Sequence, residues 1–110
     1  SNALNREECH YFLAELNGMV VGQTMITYEW SDWRNGIIWW IQSVFVSPEY
    51  RGKGVFRALF YHVEQLAKKH PDVKTLRLYV MKNNLPGKNT YEALGMMDSD
   101  YIVYEKEGLN

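Results

Sequence analysis

The sequence predicts an α/β fold: a mixed, mostly antiparallel sheet with flanking helices and a central strand–helix–strand crossover, in the order β-β-β-α-β-α-β. Three observations lead there. Asn17-Gly18 separates two strand-like runs, and both positions of so short a turn need a positive φ, so the first two strands form a hairpin. The run Ile37–Val46 carries apolar residues on both faces, as a central strand covered from two sides does. It is followed by a helix-period segment and then another strand. A crossover of that kind makes its two strands parallel.

Each element has a local reason. Cys9–Leu16 and Met19–Tyr28 are short runs, the second rich in β-branched residues. Glu29–Gly36 reads as a polar loop with two tryptophans. Ser47-Pro48-Glu49-Tyr50 breaks the third strand. From about Val55 to Lys69, Phe56, Leu59, Phe60, Val63 and Leu66 recur at helical spacing. Lys68, Lys69 and His70 suit the negative end of that helix, and Pro71 stops it. Val73–Met81 alternates as a strand, with Leu76, Leu78 and Val80 on one face. After the turn Asn83–Gly87, a short helix runs to about Leu94 and Gly95 ends it. Met97–Glu105 reads as the last strand.

Composition narrows the function. The chain has 110 residues, 46% hydrophobic, enough for one packed domain rather than a disordered chain. Ser1-Asn2-Ala3 has the look of a tag remnant, which leaves 4–110 as a single domain. The net charge of −1 argues against a non-specific nucleic-acid binder. A lone Cys9 makes no internal disulfide, which suits a reducing, cytoplasmic setting. No apolar run approaches the roughly 18–20 residues of a membrane span. His10, His62 and His70 have no metal-ligand spacing, so no metal is expected.

The junction from the third strand into the long helix carries the chemistry. Arg51-Gly52-Lys53-Gly54 is a glycine-rich turn that opens a helix. Such a turn presents backbone N–H groups without intrahelical partners at the positive end of the helix dipole, a seat for phosphate or pyrophosphate. An ordinary strand-to-helix turn with exposed basic residues reads equally well from these four residues. Walker A spacing fails at Val55, and a dinucleotide fingerprint would need glycine where Arg57 stands.

Val44-Phe45-Val46-Ser47-Pro48-Glu49-Tyr50-Arg51-Gly52-Lys53-Gly54-Val55 resembles motif A of the GNAT superfamily of acyl-CoA-dependent N-acyltransferases. Arg51 and Gly54 match the family's Gln/Arg-x-x-Gly-x-Gly/Ala pattern, and Phe56 departs from its small last residue. Asn84, Gly87, Tyr91, Gly95 and Met96 resemble a second block, Asn-x-x-Ala-x-x-x-Tyr-x-x-x-Gly-Phe, with Gly87 for alanine and Met96 for phenylalanine.

The resemblance implies a site. The strands ending at Val46 and Met81 splay apart, and the pantetheine arm of acetyl-CoA pairs with the backbone of Val44, Phe45 and Val46. The pyrophosphate sits on the turn Arg51, Gly52, Lys53, Gly54, Val55 and Phe56. Asn84 bonds the arm, and Tyr91 protonates the departing thiolate. It also implies that a strand and helices usually precede the Cys9 strand, so that 4–110 lacks them and a second copy can cover the apolar surface left open.

Acyl transfer from a thioester needs a neutral amine, a donor for the carbonyl oxygen and a proton for the thiolate. A backbone N–H near Phe45 or Val46 can polarise the carbonyl. The family's strand glutamate has no counterpart, because its equivalents are Trp40 and Gln42. Gln42 can orient the amine. Glu29 is the candidate base, with Asp32 three residues further along the same loop. Trp30, Asp32 and Trp33 form the candidate acceptor site, since tryptophan faces attract ammonium groups. The expected function is acetyl transfer from acetyl-CoA to a primary amine of a small molecule or peptide. The alternative is an acetyl-CoA-binding module without catalysis.

Overall fold

The computed structural model describes residues 9–110; the expected tag remnant, Ser1–Ala3, lies outside the described residues. The chain divides into two compact units, Ser1–Tyr79 and Val80–Asn110.

The first unit holds a four-stranded sheet in the order β1-β2-β3-β4. Its strands are β1 (Cys9–Leu16), β2 (Met19–Ser31), β3 (Gly36–Val46) and β4 (Val73–Arg77). β1/β2 and β2/β3 are antiparallel, and β3/β4 is parallel. The hairpin turn forms at Asn17 (φ 53°) and Gly18 (φ 80°). β2 runs three residues further than its sequence suggests, so Glu29 and Trp30 are strand residues and the loop shrinks to 32–35.

Helix α1 (Val55–Lys68) connects β3 to β4 and buries Leu59, Phe60, Val63 and Ala67. Strand alternation puts Gly22, Thr24, Ile26 and Tyr28 of β2 and Trp39 and Ile41 of β3 on the α1 face. Three ring contacts bind this layer: Phe12 to His62 at 5.7 Å, Trp39 to His70 at 5.7 Å, and Tyr28 to Trp39 at 5.9 Å. Tyr28 Oη and His10 Nδ1 share a hydrogen bond of 2.5 Å. Burial pushes the Tyr28 phenol above its ordinary value of 10, and the Cys9 thiol adds to the shift. Trp40 lies on the opposite face from Trp39, as the two-sided pattern of β3 requires.

The second unit holds α2 (Leu85–Ala93). Asn84 caps it, its Oδ1 accepting from the Gly87 N–H at 3.0 Å. It ends in a Schellman motif: Gly95 has φ 93°, its N–H bonds the Glu92 carbonyl, and the Met96 N–H bonds the Tyr91 carbonyl, each at 3.0 Å.

Two sequence expectations fail. The strand beginning at Val73 ends at Arg77, not Met81, and 97–105 forms no strand among the described residues. Both segments alternate well enough, but a strand also needs a partner for its ladder, which alternation does not provide. Tyr101, Ile102, Val103 and Tyr104 are accordingly all exposed.

Ile26 is fully buried between β2 and α1. Ile26→Ala should lower the unfolding free energy by about 2–5 kcal/mol in urea denaturation, the usual cost of emptying such a position.

Candidate active site

The site begins where β3 loses a neighbour. The β3/β4 ladder pairs Ile38 with Thr75, Trp39 with Leu76 and Trp40 with Arg77, and stops there. β3 continues to Val46. Across this stretch β3 also carries an extra residue: Thr24 faces Val44 but Ile26 faces Ile41, which places a bulge at Gln42–Ser43.

Beyond the bulge the backbone alternates. The Ser47 N–H donates to the Val21 carbonyl at 2.8 Å. Phe45, two residues back, therefore also turns its N–H and C=O toward β2. Val44 and Val46 turn theirs to the open edge. Of the two N–H groups expected near a thioester carbonyl, only that of Val46 faces the opening. The side chains of Val44 and Phe45 are 41% and 46% exposed.

The edge runs directly into the turn. Pro48–Tyr50 makes one turn of 3-10 helix, and Arg51 Nε donates back to the Val46 carbonyl at 3.0 Å. Gly52 (φ 76°) and Gly54 (φ 85°) adopt backbone conformations that L side chains rarely take. A Cβ on either glycine would meet nothing within 4 Å. Conformation is therefore what requires glycine here, and the approach is open. Gly54 is the N-cap of α1 and brings no capping side chain. Among the described residues, the N–H groups of Gly52, Lys53, Gly54 and Val55 meet no backbone acceptor. Lys53 Nζ lies 6.0 Å from the Tyr50 ring centre. The Phe56 ring packs toward that of Phe60 at 6.1 Å.

Sequence reasoning missed Gly22. A Cβ there would lie 2.6 Å from Val55 Cγ1, 3.2 Å from the Phe45 carbonyl and 3.4 Å from Leu59 Cδ1. Gly22 lets the first turn of α1 sit against the end of β3. The signal was available, because a glycine inside a β-branched strand marks a close backbone approach.

The other expected residues are only partly brought together. On the face away from α1, Trp40 Nε1 donates to Glu29 Oε1 at 2.6 Å, and Gln42 Nε2 donates to Thr27 Oγ1 at 3.0 Å. The Trp40 ring lies 4.6 Å from that of Tyr79 and 5.4 Å from the Arg77 guanidinium. Glu29, Gln42 and Trp40 thus form one group beside the bulge. Trp30 sits on the other face, and its Nε1 donates to Asp32 Oδ1 at 2.5 Å. Trp33 is 88% exposed in the turn. Trp30, Asp32 and Trp33 therefore do not share a face with Glu29. Asn84 and Tyr91 belong to the second unit, where Asn84 spends Oδ1 on its cap and keeps its amide N–H groups, and Tyr91 is half-buried in α2.

An interrupted parallel ladder leading to a glycine turn at a helix N-terminus is an arrangement that can take an extended ligand with an anionic end. Its edge suits an amide-bearing arm, and its turn suits a pyrophosphate. Comparisons with known proteins supply the family. The chain belongs to the acetyltransferase (GNAT) family, whose model matches residues 1–96. It is 32% identical over 79 residues to a thialysine N-epsilon-acetyltransferase of Bos taurus, which covers 72% of this chain and 45% of the relative. It is 28% identical over 100 residues to an uncharacterized N-acetyltransferase of Methanocaldococcus jannaschii, 90% of this chain and 44% of the relative. The chain thus spans less than half the length of these curated relatives. The crystal structure of a possible acetyltransferase from Clostridium difficile 630 superposes with a TM-score of 0.88 at 45% identity, covering 97% of this chain and 70% of that one. Among the described residues there is no cluster of metal-ligating side chains, and no helix is long and apolar enough to cross a membrane.

Gly22→Ala should cost about 1–3 kcal/mol of stability by overpacking β2 against α1. Urea unfolding measures it.

Proposed function

We propose that this chain is the acetyl-CoA-binding part of an N-acetyltransferase that moves an acetyl group directly to a primary amine. The observation that carries the reading is the open edge of β3 at Val44 and Val46, continuous with the Gly52–Val55 N–H groups. Acetyl-CoA has the matching order of parts: a thioester, an amide-bearing arm and a pyrophosphate.

In this reading each group has one task. Val44, and Val46 through its N–H, pair with the amides of the arm, which sets the thioester at the end of the opening away from the turn. The turn and Arg51 hold the pyrophosphate; Arg51 keeps its terminal nitrogens for this while Nε anchors it to Val46. Gln42, fixed on Thr27, keeps its amide oxygen for the incoming amine. The amine nitrogen forms the new C–N bond as the C–S bond breaks. Glu29 accepts the proton the amine loses, and Tyr91 gives one to the thiolate. Asn84 bonds the arm through its amide N–H groups, and Trp30, Asp32 and Trp33 contact the acceptor away from the reacting nitrogen. The acceptor is a small molecule or peptide with a primary amine, and a cytoplasmic setting supplies acetyl-CoA.

Calorimetry with acetyl-CoA and a thiol-release assay over a panel of amines test this together. Binding with turnover is expected. Binding without acetyl consumption by any amine would establish the non-catalytic module instead. Tyr91→Phe should lower kcat by about 100-fold, the lower range for losing a general acid, while leaving acetyl-CoA affinity unchanged. A parallel loss of affinity would contradict a pure acid role.

A further inference from the structure

The geometry points to Trp40 as a positioning residue: its indole N–H fixes the Glu29 carboxylate at the mouth of the opening between β3 and β4. This inference rests on the acetyl-transfer reading above and adds the means by which its base is held.

Glu29 is an exposed residue near the end of β2. A glutamate there has three rotatable side-chain bonds and gains nothing intrinsically from choosing one rotamer. The single N–H of Trp40 chooses for it, at 2.6 Å to Oε1. Tryptophan suits the task because its indole only donates and does not titrate near neutrality. It holds a carboxylate oxygen without competing for the proton that the carboxylate must accept. The second carboxylate oxygen is left for the amine.

Trp40 is held in turn. The Tyr79 ring packs on it at 4.6 Å with an interplanar angle of 34°, and the Arg77 guanidinium lies 5.4 Å from its ring. Two aromatic and cationic contacts on one indole leave it little rotational freedom. Its backbone is the last of β3 to pair with β4, two residues before the bulge begins at Gln42. The carboxylate absent from β3 is therefore delivered to β3 from β2, by a bond spanning 11 residues of sequence.

A hydrogen bond that merely stabilised the surface would have no kinetic signature of its own, so the test is a double-mutant cycle on the whole chain. Trp40→Phe keeps an aromatic ring, a smaller one, against Tyr79 and Arg77 and deletes the donor. Thiol release is followed with the best amine of the panel, or with water as acceptor where no amine turns over. Glu29→Gln should lower kcat at least 100-fold and Trp40→Phe about 10-fold, both with unchanged acetyl-CoA affinity. The double variant should be no slower than Glu29→Gln alone, because the tryptophan acts through the glutamate. Additive losses, or wild-type kcat in Trp40→Phe beside a slow Glu29→Gln, would overturn the positioning role and leave the acetyl-transfer reading standing. No thiol release from any acceptor would overturn both. The indole N–H resonance of Trp40 gives an independent readout in the folded wild type: it should shift in Glu29→Gln. An unmoved resonance overturns the proposal even where Trp40→Phe does not fold.

Discussion

The whole site depends on one interruption: the parallel ladder between β3 and β4 ends at Trp40 and Arg77 while β3 runs on to Val46. Backbone N–H and C=O groups are costly when buried without partners, so a strand cannot abandon its neighbour inside a core. Here the abandoned stretch lies at the surface, with 43–45 exposed, where solvent can reach its backbone groups. The bulge at Gln42–Ser43 falls within the same stretch, and a bulge bends a strand and sharpens its twist. The opening is thus compatible with a stable sheet. It needs no strained side chain and no buried charge.

What keeps the opening aligned with the turn is α1. Its N-terminus must sit where β3 ends, and its buried face decides that. Leu59, Phe60, Val63 and Ala67 fix the helix on the sheet, and burying a large apolar side chain is worth roughly 1.5–3 kcal/mol. Gly22 brings the first turn down onto β2, because any side chain there would collide with Val55. The N-cap shows the other side of the arrangement. A serine or aspartate at position 54 would satisfy the helix's own N–H groups, whereas Gly54 leaves them to a ligand. Stability is supplied by the core of α1, and its first turn is left open.

Much of this was legible in the sequence, for a definable reason. Asn17-Gly18, Gly52, Gly54 and Gly95 all take positive φ, and glycine or asparagine at such positions is a local requirement that the sequence displays directly. The buried face of α1 was equally plain, since helical periodicity is a local property too. Ladder pairing is not local. Leu78–Met81 and 97–105 alternate like strands yet form none, because no residue within a segment records whether a partner lies beside it. The reach of β2 through Ser31 failed for the same reason: Glu29 and Trp30 look like loop residues until Ile38 and Ile37 lie opposite them.

That distinction bears directly on the candidate base. Reading along β3 alone, the positions that would carry a carboxylate hold Trp40 and Gln42, neither of which takes a proton. Reading across the sheet, Thr27 faces Trp40 and Glu29 faces Ile38, so a side chain two residues along β2 reaches the indole diagonally. A group and its scaffold need only be neighbours in a sheet, where adjacent strands lie about 4.8 Å apart whatever the chain distance between them. Catalytic motifs written along one strand therefore miss any group that the next strand supplies. Trp40 is the last residue of β3 paired with β4, and its side chain contacts both neighbouring strands, Glu29 from β2 and Arg77 from β4.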